Sequence, residues 1–272
     1  MPNGPPPKID SAMATTSSDY PAPPGQERPW PKPTKTGRIP FTVPGTGEHS
    51  ETYYLLWGDL SSGKTPLICL HGGPGVAHNY LLPISLVHED YGVPVIMYDQ
   101  MGCGLSTHFK EKKYDTDFWT PQLFFAELDN LKAALGIKEF DLLGQSWGGM
   151  MGGQYAITQP KGLRKLLVCD SPASMITWMK VCNRLREGLP KDVQETLERC
   201  EKNGTTETKE YKDAVTVFYR KHVCRVWPYP KELNDSDDQL EADNTVYETM
   251  NGPSEFYVVG SCLLYTSDAA DE

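Results

Sequence analysis

The sequence predicts an α/β domain built on a mostly parallel sheet with an antiparallel start and an inserted helical cap. Two short strand patterns, at residues 39–43 and 52–57, flank the turn Pro44-Gly45-Thr46-Gly47 and imply antiparallel pairing. Three continuous apolar runs follow at 66–70, 93–98 and 140–143, with connections long enough for crossovers, and read as parallel strands buried on both faces. After Pro172 the β signals stop and amphipathic helical patterns replace them, which is the signature of a cap inserted after a strand.

Residues 1–37 concentrate proline (Pro5-Pro6-Pro7, Pro21, Pro23-Pro24, Pro29, Pro31, Pro33) among Ser, Thr and Gly and read as a tail without a packed element, in which Met13 is an alternative start to Met1. A helix is predicted over 121–135: Pro121 suits its first position after Thr120, Phe124, Leu128, Leu131 and Leu135 share one face, and Gly136 closes it. A second helix covers 147–159 and a further strand 165–169. The cap then holds helices at 174–186, 190–200, 209–223 and 240–250, with Asp235, Asp237 and Asp238 in a polar linker. The expected division is a tail at 1–37, a core at 38–172, a cap at 173–261 and a non-native stretch at 262–272.

A net charge of −10 and a pI near 5.1 leave no basic stripe to follow a phosphate backbone, so nucleic acid is not an expected partner. The seven cysteines are scattered, odd in number and free of metal-ligand spacing, and read as reduced thiols; no metal and no organic cofactor are expected. No charged-then-apolar leader and no run near eighteen apolar residues is present, so membrane association is not expected and a cytoplasmic protein is.

The chemistry is carried by Gly144-Gln145-Ser146-Trp147-Gly148. It follows a strand and opens a glycine-rich helix, the context in which G-x-S-x-G places a nucleophilic serine on a sharp strand-to-helix turn of an α/β-hydrolase. His71-Gly72-Gly73-Pro74-Gly75 follows the strand at 66–70, where this fold builds half of its oxyanion hole. The N–H groups of Gly73 and Trp147 are the candidate donors, and Gly72 is a candidate substrate-binding residue. His71 is read as a structural residue of that loop. In the third segment, residues 98–106, Asp99 is expected to fix a tight loop by hydrogen bonds, and Ser106 is not a candidate nucleophile.

The three segments, His71-Gly72-Gly73-Pro74-Gly75, Asp99-Gln100-Met101-Gly102-Cys103-Gly104-Leu105-Ser106 and Gly144-Gln145-Ser146-Trp147-Gly148-Gly149, resemble the proline iminopeptidase family of α/β-hydrolases in order and spacing, from about residue 38 to about 261. The resemblance implies a serine aminopeptidase that releases N-terminal proline, or a similar small residue, from peptides or amino-acid amides. It also implies that Glu255, in Met250-Asn251-Gly252-Pro253-Ser254-Glu255-Phe256, binds the substrate's free α-amino group, a role that suits a carboxylate physically.

The same resemblance implies a triad acid roughly thirty residues after Glu255 and a histidine about as far again. The chain contains neither: His222, the only histidine after Ser146, falls in a helical pattern of the cap, and Asp170 precedes the cap. Residues 262–272 depart from the family and read as a translated sequencing-library transposon adapter, so we expect the natural protein to be longer, with further strands and helices, and the present chain to be inactive. Within the fold, an esterase, a general amidase or a carbon–carbon hydrolase shares the serine elbow, and a non-catalytic fragment is the reading from another class.

Overall fold

The computed structural model describes residues 26 and 28–265. The first 25 residues of the expected tail, Met13 among them, and residues 266–272 lie outside the described residues. Six strands, β1 (Lys35–Thr42), β2 (His49–Trp57), β3 (Leu67–Leu70), β4 (Val95–Tyr98), β5 (Phe140–Gln145) and β6 (Leu163–Cys169), form one sheet in the order β1-β2-β4-β3-β5-β6. β1 pairs with β2 and β2 with β4 antiparallel, while the remaining pairs are parallel. The α/β-hydrolase class expected from the sequence is thus the architecture observed.

Strict alternation along β3 and β4 divides their side chains between two cores. Ile68, Leu70, Ile96 and Tyr98 face a cluster with Phe124, Leu128, Leu131, Met151 and Tyr155 from α2 (Pro121–Ala134) and α3 (Trp147–Ile157). Leu67, Cys69, Val95 and Met97 face the other side, against Leu81 of a 3-10 segment at Asn79–Ser85 and Val87 of α1 (Leu86–Tyr91). Burial on both faces explains why these strands lack a polar alternation in the sequence.

Two details outside the cap differ from the sequence-based expectation. Thr120 occupies the N-cap of α2, but its side chain makes no capping hydrogen bond. The packed chain begins before residue 38: β1 starts at Lys35, Trp57 Nε1–H donates to Pro31 O (2.7 Å), and Trp30 Nε1–H donates to Glu232 Oε1 (2.7 Å). Side-chain donors there replace the backbone ladder that a proline-rich strand cannot make.

The cap comprises α4 (Met175–Arg186), α5 (Lys191–Asn203), α6 (Lys209–His222), α7 (Lys231–Ala242) and α8 (Thr245–Met250), and a last short helix, α9 (Cys262–Tyr265), follows it. The single helix expected at 240–250 is two: Asp243 adopts extended backbone, and its carboxylate accepts the Thr245 N–H (3.1 Å), which starts α8. The helix α7 was not expected, and it corrects the assignment of Asp235, Asp237 and Asp238 to a linker. Its sequence is almost wholly polar, so no apolar period betrays it. An i,i+4 pair between Lys231 and Asp235 supports it, and buried Ser236 accepts the Tyr80 N–H (3.1 Å) where α7 packs on the 3-10 segment.

Candidate active site

Ser146 stands alone between β5 and α3 with φ 53° and ψ −125°, backbone angles that a non-glycine residue adopts only when its surroundings impose them. Those surroundings are visible. The Ser146 N–H donates to Cys169 O on β6 (2.9 Å), and its carbonyl accepts Gly149 N–H (2.9 Å) and Met150 N–H (3.2 Å) from the first turn of α3. The flanking glycines permit the closeness: a Cβ on Gly144 would collide with the Gly148 carbonyl, and one on Gly148 with the Leu70 carbonyl of β3. A strained elbow, set at the end of parallel strands and at the start of a helix, presents the Ser146 hydroxyl outward.

The loop after β3 lies directly against it. A Cβ on Gly72 would stand 3.0 Å from the Ser146 Cβ, and Gly73 sits at φ 110°, a region that disfavours L side chains. Tyr80 ties loop and elbow together: its hydroxyl accepts the Gly72 N–H (2.7 Å) and donates to Gln145 Oε1 (2.6 Å). The Gly72 N–H is therefore occupied, whereas the Gly73 and Trp147 N–H groups donate to no acceptor among the described residues. Two unengaged amides beside a serine hydroxyl are suited to an oxygen that acquires charge.

His71 and Asp99 serve the loops. His71 Nε2 accepts the Gln100 N–H (3.0 Å), which leaves Nδ1–H to donate to Gly72 O (3.0 Å). Burial pushes the imidazole down to about 4, so it stays neutral. Asp99 accepts from His78 N (2.9 Å), His78 Nδ1 (2.7 Å) and Leu105 N (2.9 Å). Burial alone would push this carboxyl up, but the hydrogen bonds from His78 and the Leu105 amide hold it below the usual carboxylate range. Ser106 Oγ donates to Asp99 O (2.5 Å), within the same loop.

The buried imidazole has a consequence for pH. Because the folded value lies near 4 and the ordinary one near 6.5, the unfolded chain takes up this proton first on acidification, and stability attributable to His71 falls as pH drops through that interval. Glu127, pushed up to about 7 by burial although Thr52 and the Met101 amide hydrogen-bond it, acts with the opposite sign: its contribution falls as pH rises from 4.5 toward 7. His71→Gln is expected to flatten the acid-side decline by roughly 3 kcal/mol between those limits. Denaturant titrations at successive pH values check it, and parallel pH profiles for wild type and variant would contradict it.

Glu255 reaches the same place from the cap. It lines one partly open cavity with Ser146, Gly73, Trp147, Met150 and Trp178. Tyr247 Oη–H donates to Glu255 Oε1 (2.8 Å), Glu255 N–H donates to Tyr219 Oη (3.2 Å), and Trp178 Nε1–H donates to Glu255 O (2.6 Å). Burial pushes the Glu255 carboxyl up, only partly offset by the Tyr247 hydrogen bond, and burial together with the Glu255 charge keeps the Tyr247 phenol protonated. Among the described residues no Lys, Arg or His pairs with Glu255. A buried carboxyl with one hydrogen-bond donor and no counter-ion is held toward its neutral form and ionises more readily when a cation comes beside it.

The structure thus brings together Ser146, Gly72, Gly73, Trp147 and Glu255. Tyr80, Trp178, Tyr219 and Tyr247 join them without any sequence signal. His222 lies in α6 against Phe218 (ring centroids 4.8 Å apart). No histidine hydrogen-bonds to the Ser146 hydroxyl among the described residues. Among the same residues no cluster of three metal-ligating side chains occurs, and no helix is long and apolar enough to cross a membrane.

A family model described as the alpha/beta hydrolase fold matches residues 65–260. The proline iminopeptidase of Clostridium botulinum is 39% identical over 217 residues, 78% of this chain and 70% of that protein, and that of Heyndrickxia coagulans is 37% identical over 203 residues, 75% and 68% of the two chains. Among solved structures, the proline iminopeptidase of Mycobacterium smegmatis superposes with a TM-score of 0.72 at 46% identity over 84% of this chain and 74% of that one. VinJ superposes with a TM-score of 0.79 at 49% identity over 85% and 75%. With the serine elbow, the glycine loop against it and these relatives, the chain belongs to the proline iminopeptidase family of α/β hydrolases.

Proposed function

We propose that the protein is a serine aminopeptidase that releases N-terminal proline, or a similar small residue, from peptides or amino-acid amides. The observation that carries the reading is the Glu255 carboxylate, without a counter-ion, in one cavity with Ser146. An ammonium held there fixes a substrate by its free N-terminus, and the first carbonyl carbon then falls next to the serine. The names of the curated relatives support the same substrate class.

In the proposed reaction Ser146 Oγ bonds to the carbonyl carbon and gives its proton to a general base. The Gly73 and Trp147 N–H groups receive the oxyanion. The carbon–nitrogen bond then breaks, the amine leaves with that proton, and water releases the acyl group from Ser146. The base is the element that the described residues do not place beside the serine. The walls contributed by Met150, Met175 and Trp178 are apolar and suit a compact acyl side chain.

Hydrolysis of a prolyl arylamide, its N-acetyl derivative and a simple aryl ester by a chain that also carries the catalytic base tests the proposal. The free amine is the expected substrate. Glu255→Gln is expected to lower kcat/KM on it on the order of 100-fold, the cost of leaving a buried charge unpaired, while ester hydrolysis changes less than about threefold. Equal losses on amine and ester would remove the amine-binding role and leave an esterase or general amidase.

A further inference from the structure

We propose that Trp178 is a positioning residue that sets the span between Glu255 and Ser146, so that one indole ring both places the amine-binding carboxylate and limits the acyl side chain. The proposal rests on the reading of Glu255 as the amine site.

Glu255 lies in a stretch of turns at 251–260, where no helix or strand ladder fixes its peptide. Its two peptide groups are instead held by aromatic side chains of the cap. The Glu255 carbonyl accepts Trp178 Nε1–H from α4 at 2.6 Å, and its N–H donates to Tyr219 Oη of α6 at 3.2 Å. A short hydrogen bond from a rigid ring transmits the position of α4 to the Glu255 backbone, and hence to the carboxylate.

Trp178 also occupies the junction of the two halves of the molecule. It packs against the sheet-side cluster that includes Trp147 and Met175, and against the cap's own cluster that includes Phe218 and Phe256. The serine elbow packs with the first cluster, and Phe256, the neighbour of Glu255, with the second, so a side chain wedged against both bears on the distance between the elbow and Glu255. The same indole lines the cavity beside Ser146, Met150 and Met175. Its face is the wall a bulkier acyl side chain would meet, and its edge holds the group that recognises the amine. Selectivity for a free α-amine and selectivity for a compact residue are thereby linked through one side chain.

Substitution separates the two tasks, since phenylalanine keeps an aromatic wall and loses the N–H, whereas alanine loses both. The measurement is an NMR titration with L-prolinamide and with cyclopentanecarboxamide, which has the same ring without the amine. Wild type, Glu255→Gln, Trp178→Phe and Trp178→Ala are compared. Wild type is expected to favour prolinamide, and Glu255→Gln to lose that preference. Trp178→Phe is expected to weaken prolinamide about fivefold while cyclopentanecarboxamide stays within about twofold. Trp178→Ala is expected to weaken both and to gain affinity for L-phenylalaninamide.

If Trp178→Phe binds prolinamide as wild type does while Glu255→Gln does not, the positioning role is wrong and the amine site stands. If Trp178→Phe weakens both small ligands equally, the indole is only a wall, and the proposal is again overturned. If wild type and Glu255→Gln bind prolinamide alike, the reading of Glu255 itself fails and this proposal with it.

Discussion

Assayed in a chain that also carries the catalytic base, Ser146→Ala is expected to lower kcat/KM on a prolyl arylamide by about 10⁴-fold or more, the scale on which loss of a hydrolase nucleophile acts. Among the described residues that line the cavity, Ser146 alone carries a hydroxyl; Ser106 is buried and donates to Asp99 O, and Ser171 lies beyond the elbow against Gly149. The fold should not register the change, because the Ser146 side chain makes no hydrogen bond within the described residues and the strained backbone is held by its own N–H and carbonyl. Thermal unfolding within about 2 °C of wild type is therefore the accompanying expectation. A loss smaller than tenfold with an intact fold would remove Ser146 as nucleophile. Labelling by a fluorophosphonate probe separates nucleophile from base, since a serine with no histidine at its hydroxyl reacts slowly even where the oxyanion donors are in place.

How far the sequence revealed this site depends on what each residue does. Gly72, Gly73, Gly144 and Gly148 were legible because close backbone approach admits no Cβ, so their function is written in residue type and spacing. The strands were legible because burial on both faces leaves unbroken apolar runs. Glu255 was legible through a resemblance alone, since an isolated acid in a turn carries no local signal. Tyr80, Trp178, Tyr219 and Tyr247 were not legible at all: they come from the 3-10 segment, α4, α6 and α8, and only the folded cap brings them to Glu255 and Gly72. α7 escaped for the opposite reason, as its contact with the core runs through a serine hydroxyl and a tryptophan N–H from residue 30 rather than an apolar stripe.

Gly148→Ala is expected to destabilise the protein by about 3 kcal/mol or more, or to abolish soluble expression. Alanine is ordinarily the better helix residue, by up to about 1 kcal/mol, and Gly148 is within the first turn of α3, so propensity argues for the opposite sign. Packing decides the matter, because the added Cβ would overlap the Leu70 carbonyl of β3 and lie 2.7 Å from the His71 carbonyl, and both belong to backbone that cannot rotate away. Relief requires α3 to move off the sheet. That displacement would carry the Trp147 N–H and Ser146 with it, and would break the Ser146 N–H bond to Cys169 O across the elbow. Gly153→Ala, one and a half turns further along the same helix, supplies the control, since a Cβ there meets nothing within 4 Å. It should raise stability by about 0.5–1 kcal/mol. Equilibrium unfolding of the two variants distinguishes close approach from helix propensity: if both shift stability in the same direction, the contact between α3 and β3 does not account for the glycine of the elbow.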